Sequence, residues 1–96
     1  GGTWRGARVL PYSWLRASFR PRGRSPWSGL GYGYGWFVGR ASGMRLALAR
    51  GYGGQVIALA PEDATTIVVT SDPNRPARSG GYFGDLMDLI GEILAA

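Results

Sequence analysis

The 96-residue chain contains no cysteine and no histidine. Within these residues that excludes a cysteine nucleophile, a Cys/His zinc site and a Ser-His-Asp triad. Lysine is absent too, since all eleven basic residues are arginine. Neither a Ser-x-x-Lys nucleophile nor a lysine base can therefore be built internally. No apolar run reaches the roughly 20 residues of a membrane helix, and no secretory apolar region opens the chain. No metal site and no cofactor is expected, and the compartment is left open.

What is present suits a packed core. The hydrophobic fraction is 45% and the aromatic fraction 12%, which argues against disorder. A chain of this size is one small domain, burying only about 60–70% of its unfolded surface. The net charge of +5 is unevenly spread. Arg5, Arg8, Arg16, Arg20, Arg22 and Arg24 crowd the first quarter, and Asp85, Asp88 and Glu92 lie near the end. Such a basic segment reads first as a solvated face and second as a site for an anionic partner.

Proline and glycine divide the chain. Pro11 opens a short helix over about residues 11–19, in which Trp14, Leu15 and Phe19 share a face, and Pro21 stops it. Residues 21–30 read as a breaker-rich loop. Strands are expected over about 32–38, 44–50, 55–60 and 65–71. In the first, Tyr32, Tyr34 and Trp36 alternate with glycine, which places three aromatics on one face of an extended segment. In the second, Met44, Leu46 and Leu48 oppose Arg45, Ala47 and Ala49. Gly51 to Gly54 is a tight turn, Pro61-Glu62-Asp63 has type I turn composition, and connections this short allow only antiparallel pairing. Asp72 to Pro76 ends the sheet, and a loop runs to Gly80-Gly81.

The clearest element comes last. Leu86, Leu89, Ile90, Ile93 and Leu94 recur at helical spacing over about residues 83–95, opposite Asp85, Asp88 and Glu92. The expected fold is α+β: an antiparallel four-stranded meander with a C-terminal amphipathic helix on one face. No internal repeat or linker divides residues 1–96. The apolar run Thr66-Ile67-Val68-Val69-Thr70 asks for cover on both faces of the sheet. The terminal helix can cover one face, and the short Trp14 helix is small for the other. The chain accordingly reads as the end of a larger protein, with a layer supplied from elsewhere.

Trp4-Arg-Gly-Ala-Arg-Val-Leu-Pro11, Trp14, Gly31-Tyr-Gly-Tyr-Gly-Trp36, Gly51-Tyr-Gly-Gly-Gln55 and Thr66-Ile-Val-Val-Thr-Ser-Asp-Pro73 together resemble the C-terminal part of the serine β-lactamase family. That family spans class C β-lactamases, penicillin-binding proteins and related esterases. The resemblance covers almost the whole chain in order, each motif being loose alone. It implies an α/β sandwich beside an all-helical region, and acyl transfer by a Ser-x-x-Lys serine aided by that lysine and a second-motif tyrosine or serine. Both motifs would precede Gly1, so no catalytic residue is expected in this chain, which should be inactive alone. Tyr12, Tyr32 and Tyr34 lack the Tyr-x-Asn-type context.

The family's third motif, Lys-Thr-Gly or a variant, would fall on Ala49-Arg50-Gly51, with alanine in place of the lysine. The resemblance thus implies Arg50, Gly51 and Tyr52 as a substrate-binding and oxyanion edge, Arg50 meeting a substrate carboxylate and the Tyr52 N–H acting as donor. The implied partners are the rest of the hydrolase and a small acyl substrate, with no nucleic acid. Two rivals belong to other classes. One is a non-catalytic interaction module; the other is a single-stranded nucleic-acid binder using arginines and aromatics. Against the second, the arginines fall on an expected helix and loop while the aromatics fall on a strand, and no RNP or OB signature occurs.

Overall fold

A computed structural model describes residues 1–26, 28–74 and 82–96, the Tyr82 side chain excepted. Six strands form one antiparallel meander: β3 (Gly23–Arg24), β4 (Gly31–Tyr32), β5 (Phe37–Ala41), β6 (Met44–Gly51), β7 (Gln55–Ala60) and β8 (Thr65–Val69), in chain order across the sheet. Before them stand a small hairpin, β1 (Thr3–Trp4) with β2 (Ala7–Arg8), and helix α1 (Tyr12–Ser18). Helix α2 (Tyr82–Ala95) closes the chain. The expected α+β class and terminal helix are observed. The loop expected to reach Gly80-Gly81 lies outside the described residues.

The long strands form where the sequence alternates and the turns are short. Ala41 pairs with Met44, so Ser42 and Gly43 make a two-residue loop with both φ angles positive, at 52° and 75°. That geometry matches the right-handed twist of flanking strands. Gly51 pairs with Gln55 across Tyr52-Gly53-Gly54. The composition of Pro61-Glu62-Asp63 produces a single 3-10 turn, released into β8 by Ala64 at φ 51°.

Two strands more than expected extend the sheet, and a reading of one strand over 32–38 is corrected. The chain turns at residues 33–36, where the Gly33 N–H donates to the Trp36 carbonyl at 2.7 Å. Glycine alternation permits this as readily as extension. Gly33 is buried, and a Cβ there would overlap the Ser18 carbonyl oxygen. The three aromatics consequently take separate partners rather than one face. Tyr32 meets Phe37 edge-on, Tyr34 stacks on Trp14, and Trp36 meets Phe19 edge-on. The same contacts dock α1 on this turn, helped by the Tyr34 N–H donating to the Ser18 carbonyl at 3.0 Å. The breaker-rich stretch also holds more order than expected: Arg22 N–H bonds the Tyr32 carbonyl, and Ser25 N–H the Leu30 carbonyl.

The main core cluster lies on one side of the sheet. Leu46, Leu48, Val56, Ala58 and Ala60 pack against Leu86, Ile90 and Leu94 of α2, with Leu48 and Ile90 wholly buried. Each fully buried Leu or Ile contributes about 1.5–3 kcal/mol. Register places Leu48 opposite Ala58, and Ala58 opposite Ile67, so the same row runs across three strands. Leu89 and Ile93, expected within the docked stripe, lie at its margin and stay 43% and 45% exposed.

The opposite face differs. Ala49, Ile57 and Val68 form one cross-strand row there, and Ala47, Leu59 and Thr66 another. Ile57 is 43% and Val68 62% exposed, whereas Val56, its neighbour in β7, is 3% exposed. Ala47 of the same face is 3% exposed and Arg40 and Arg45 also belong to it, so the apolar part open to solvent is the patch at Ile57 and Val68.

Candidate functional site

The residues expected at a substrate edge sit at one end of the long hairpin. Arg50 and Gly51 finish β6, and Tyr52 stands in the turn with 89% of its surface exposed. A shallow, apolar depression of about 350 Å³ opens beside them, bordered by Ala49, Arg50, Gly51, Ile57, Val68 and Thr70 among others. Tyr52 does not border it.

Strand parity decides what Arg50 can do. It continues the row of Leu46 and Leu48, so its side chain goes to the α2 side. Its guanidinium carbon lies 3.6 Å from the centre of the Phe83 ring and 5.4 Å from that of Phe37. Partial burial lowers the group from its ordinary pKa, yet an arginine stays charged throughout the physiological range. Arg50 therefore stitches β5, β6 and α2 together through cation–π contacts.

A hydrogen-bonded clamp holds the turn beside the depression. The Gln55 Nε2 donates to the Ser71 carbonyl at 2.6 Å, and the Ser71 N–H donates back to Gln55 Oε1 at 3.1 Å. The Ser71 hydroxyl donates to the Gly54 carbonyl at 2.8 Å. Gln55 thus acts as one more strand residue for the segment leaving β8. Gly53, at φ 82°, lets Pro73 close against the turn, where a Cβ would collide with the proline ring. Sequence reasoning placed Gln55 in a strand without noticing this amide, and only the Thr70-Ser71-Asp72-Pro73 return could have hinted at it.

The depression can seat an apolar group. The chain offers no Cys, His or Lys for it. Among the described residues no group of three or more potential ligands could hold a metal ion. No helix among them is long and apolar enough to cross a membrane.

A second cluster lies in the N-terminal quarter. Trp14 and Tyr34 stack with ring centres 5.7 Å apart, Arg22 lies 4.4 Å over Tyr34, and Arg16 and Arg5 lie over Tyr12 and Trp4. Arginines and aromatics are therefore brought together, contrary to the separation expected from their elements. Guanidinium groups of this quarter also fasten the local backbone. Arg8 donates to the Gly1 and Leu10 carbonyls, Arg22 to Ala17, and Arg24 to Gly29.

Comparison with protein-family models, with curated proteins and with solved structures finds no match to this chain.

Proposed function

We propose that this chain is the C-terminal, sheet-bearing portion of a serine hydrolase similar to the β-lactamase family, contributing the rim of an acyl-transfer site and no nucleophile. The observation that carries the reading is the one-sided sheet. Val56, Ala58, Leu46 and Leu48 are sealed by α2, while Ile57 and Val68 on the reverse are open. A further layer against that reverse face would complete a sandwich, and in this reading it bears Ser-x-x-Lys. The ordered motifs from Trp4 to Pro73 support the same assignment.

Within this reading Gly51 and Tyr52 form the rim, and the Tyr52 N–H is the oxyanion donor. A donor of that kind contributes about 10²–10³ in rate. Arg50 remains the only cation of the third-motif triplet. Because its side chain stacks on Phe83, it would have to leave that ring to meet a carboxylate. Rim recognition is therefore assigned chiefly to the backbone, which favours ester or amide substrates lacking an obligatory carboxylate.

Two measurements test the proposal. The coding sequence ahead of Gly1 should contain an in-frame Ser-x-x-Lys and a Tyr-x-Asn-type motif; a frame carrying neither overturns it. The purified 96 residues should show no burst and no turnover with nitrocefin or a nitrophenyl ester, whereas the longer protein should be acylated at the Ser-x-x-Lys serine. Titratable hydrolysis by the 96 residues would refute the division of labour. A longer protein that is never acylated would leave the interaction-module reading in its place.

A further inference from the structure

Every residue from Thr3 to Trp14 is exposed, yet the stretch holds Trp4, Val9, Leu10, Tyr12 and Trp14. Trp4 is 67% and Val9 64% exposed. Trp4 pairs with Ala7 across the β1–β2 hairpin, and the Val9 N–H donates to the Gly2 carbonyl at 2.7 Å. Side chains alternate along a strand, so Trp4, Ala7 and Val9 lie on one side of the hairpin. Arg8 leaves from the other side and holds the Gly1 and Leu10 carbonyls. A two-stranded hairpin bare on both sides is marginally stable in water. Its apolar side finds no cover among the described residues. Leu10 and Pro11 lead directly into α1, which begins at Tyr12.

Charge is sorted along the chain in the same sense. Nine of the eleven arginines lie in residues 1–61, ahead of every acidic residue, and all six acids fall between Glu62 and Glu92. Glu62 and Asp63 sit between β7 and β8, across the sheet from β3. In the exposed stretch, cation and ring are already paired: Arg5 stands 5.3 Å over Trp4, and Arg16 stands 5.8 Å over Tyr12. We infer that the β1–β2 hairpin and the start of α1 form a docking surface for an anionic lipid bilayer. Trp4, Val9, Leu10 and Tyr12 enter the headgroup boundary, and Arg5 and Arg16 meet lipid phosphates. The chain lies on the membrane by this surface and does not cross it.

The side chains favour lipid over other polyanions. Guanidinium groups match phosphate oxygens two at a time, and the amphipathic rings of Trp and Tyr settle at the headgroup level. Acyl chains remove Val9 and Leu10 from water, which phosphate and sugar cannot do. Single-stranded nucleic acid satisfies the charge but asks for open ring faces. Here Trp14 and Tyr34 stack on each other, Arg22 lies over Tyr34, and Arg5 and Arg16 lie over Trp4 and Tyr12. Val9 and Leu10 have no ring to offer a base. The inference goes beyond the hydrolase reading and does not rest on it, since it uses only the hairpin and the start of α1.

The test is flotation of the 96 residues with vesicles of phosphatidylcholine, alone or with about one-quarter phosphatidylserine, at about 0.05 M and about 0.5 M salt. Wild type should float with the anionic vesicles, less so at high salt, and should not float with the neutral ones. R5N/R16Q removes two lipid-facing cations, asparagine suiting Arg5 because its φ is 50°. Its partition coefficient should fall about thirtyfold, at about fivefold per arginine. R40Q/R45Q removes the same charge from the exposed pair on β5 and β6 and should change partitioning by less than about twofold. W4S/V9S keeps every charge and should weaken partitioning by at least about tenfold. Without any variant, bromine-labelled acyl chains should quench the tryptophan fluorescence of the bound chain. No flotation, equal flotation with neutral vesicles, equal loss in R40Q/R45Q, full binding by W4S/V9S, no quenching, or tighter binding to oligothymidylate than to the anionic vesicles would each overturn the inference.

Discussion

Val56 and Val68 offer a matched pair in which one chemical change is made on each side of the same sheet. Val56 faces α2 at 3% exposure, and Val68 faces the bare side at 62%. Valine to threonine keeps shape and β-branching and replaces a methyl by a hydroxyl. At position 56 that hydroxyl enters an apolar cluster containing Leu46, Leu48 and Ile90. An unsatisfied buried hydroxyl costs about 1–3 kcal/mol, and the lost methyl about 0.8 kcal/mol more. V56T should therefore cost about 2–4 kcal/mol, a large fraction of the roughly 5–15 kcal/mol typical of a domain. At position 68 the hydroxyl meets water, and V68T should cost less than about 0.5 kcal/mol. Urea unfolding followed by far-UV circular dichroism reads both. With a slope of about 1–3 kcal/mol per molar, the V56T midpoint falls by about 0.7–4 M while that of V68T barely moves. Equal losses at both positions would mean that the chain's own atoms seal both faces, and the reasoning would fail.

Three further substitutions probe other contacts. Gly33→Ala places a Cβ on the Ser18 carbonyl and should detach α1 from the 33–36 turn, seen as loss of the near-ultraviolet signal of the Trp14–Tyr34 stack and a cost above about 2 kcal/mol. Arg50→Met removes the cation over Phe83 and should cost about 0.5–2 kcal/mol in the 96-residue chain with no substrate present; no loss would free Arg50 from its packing role. Gln55→Glu exchanges the donor facing the Ser71 carbonyl for an oxygen and should cost about 1–3 kcal/mol at neutral pH. That carboxyl is pushed above its unfolded value of about 4.3, because only its protonated form can donate. Its stabilising form is therefore fully present below the unfolded pKa and lost as pH rises through the folded one. The melting-temperature gap from wild type should narrow from pH 7 to pH 4, and a gap that widens refutes the clamp.

Periodicity made the long elements legible. The spacing of Leu86, Ile90 and Leu94 located α2 and its buried stripe, and the alternation of Met44 to Leu48 located β6 and its sides. Short turns then forced antiparallel order. Where glycine alternates with aromatics, the same pattern serves strand and turn, and at Tyr32 to Trp36 the close approach of Gly33 to the Ser18 carbonyl selects the turn. The hairpin of β1 and β2 escaped notice because its turn puts Arg5 at φ 50°, a conformation few non-glycine residues adopt. β3 and β4 escaped because two-residue strands leave no periodicity to read. At the candidate site, the side chosen by Arg50 was legible in principle. It follows Leu46 and Leu48 in the same row, and Phe83 waits on the facing helix. The Gln55 clamp was not legible, because a side-chain amide replacing a strand backbone leaves no pattern in the sequence.

Solvent paramagnetic relaxation of methyl resonances, with a soluble gadolinium chelate, measures the two faces of the sheet directly. Strong relaxation of the Ile57 and Val68 methyls, with Val56, Leu48 and Ile90 protected, is the predicted result. Equal protection of all five residues would contradict a sheet covered on one side only.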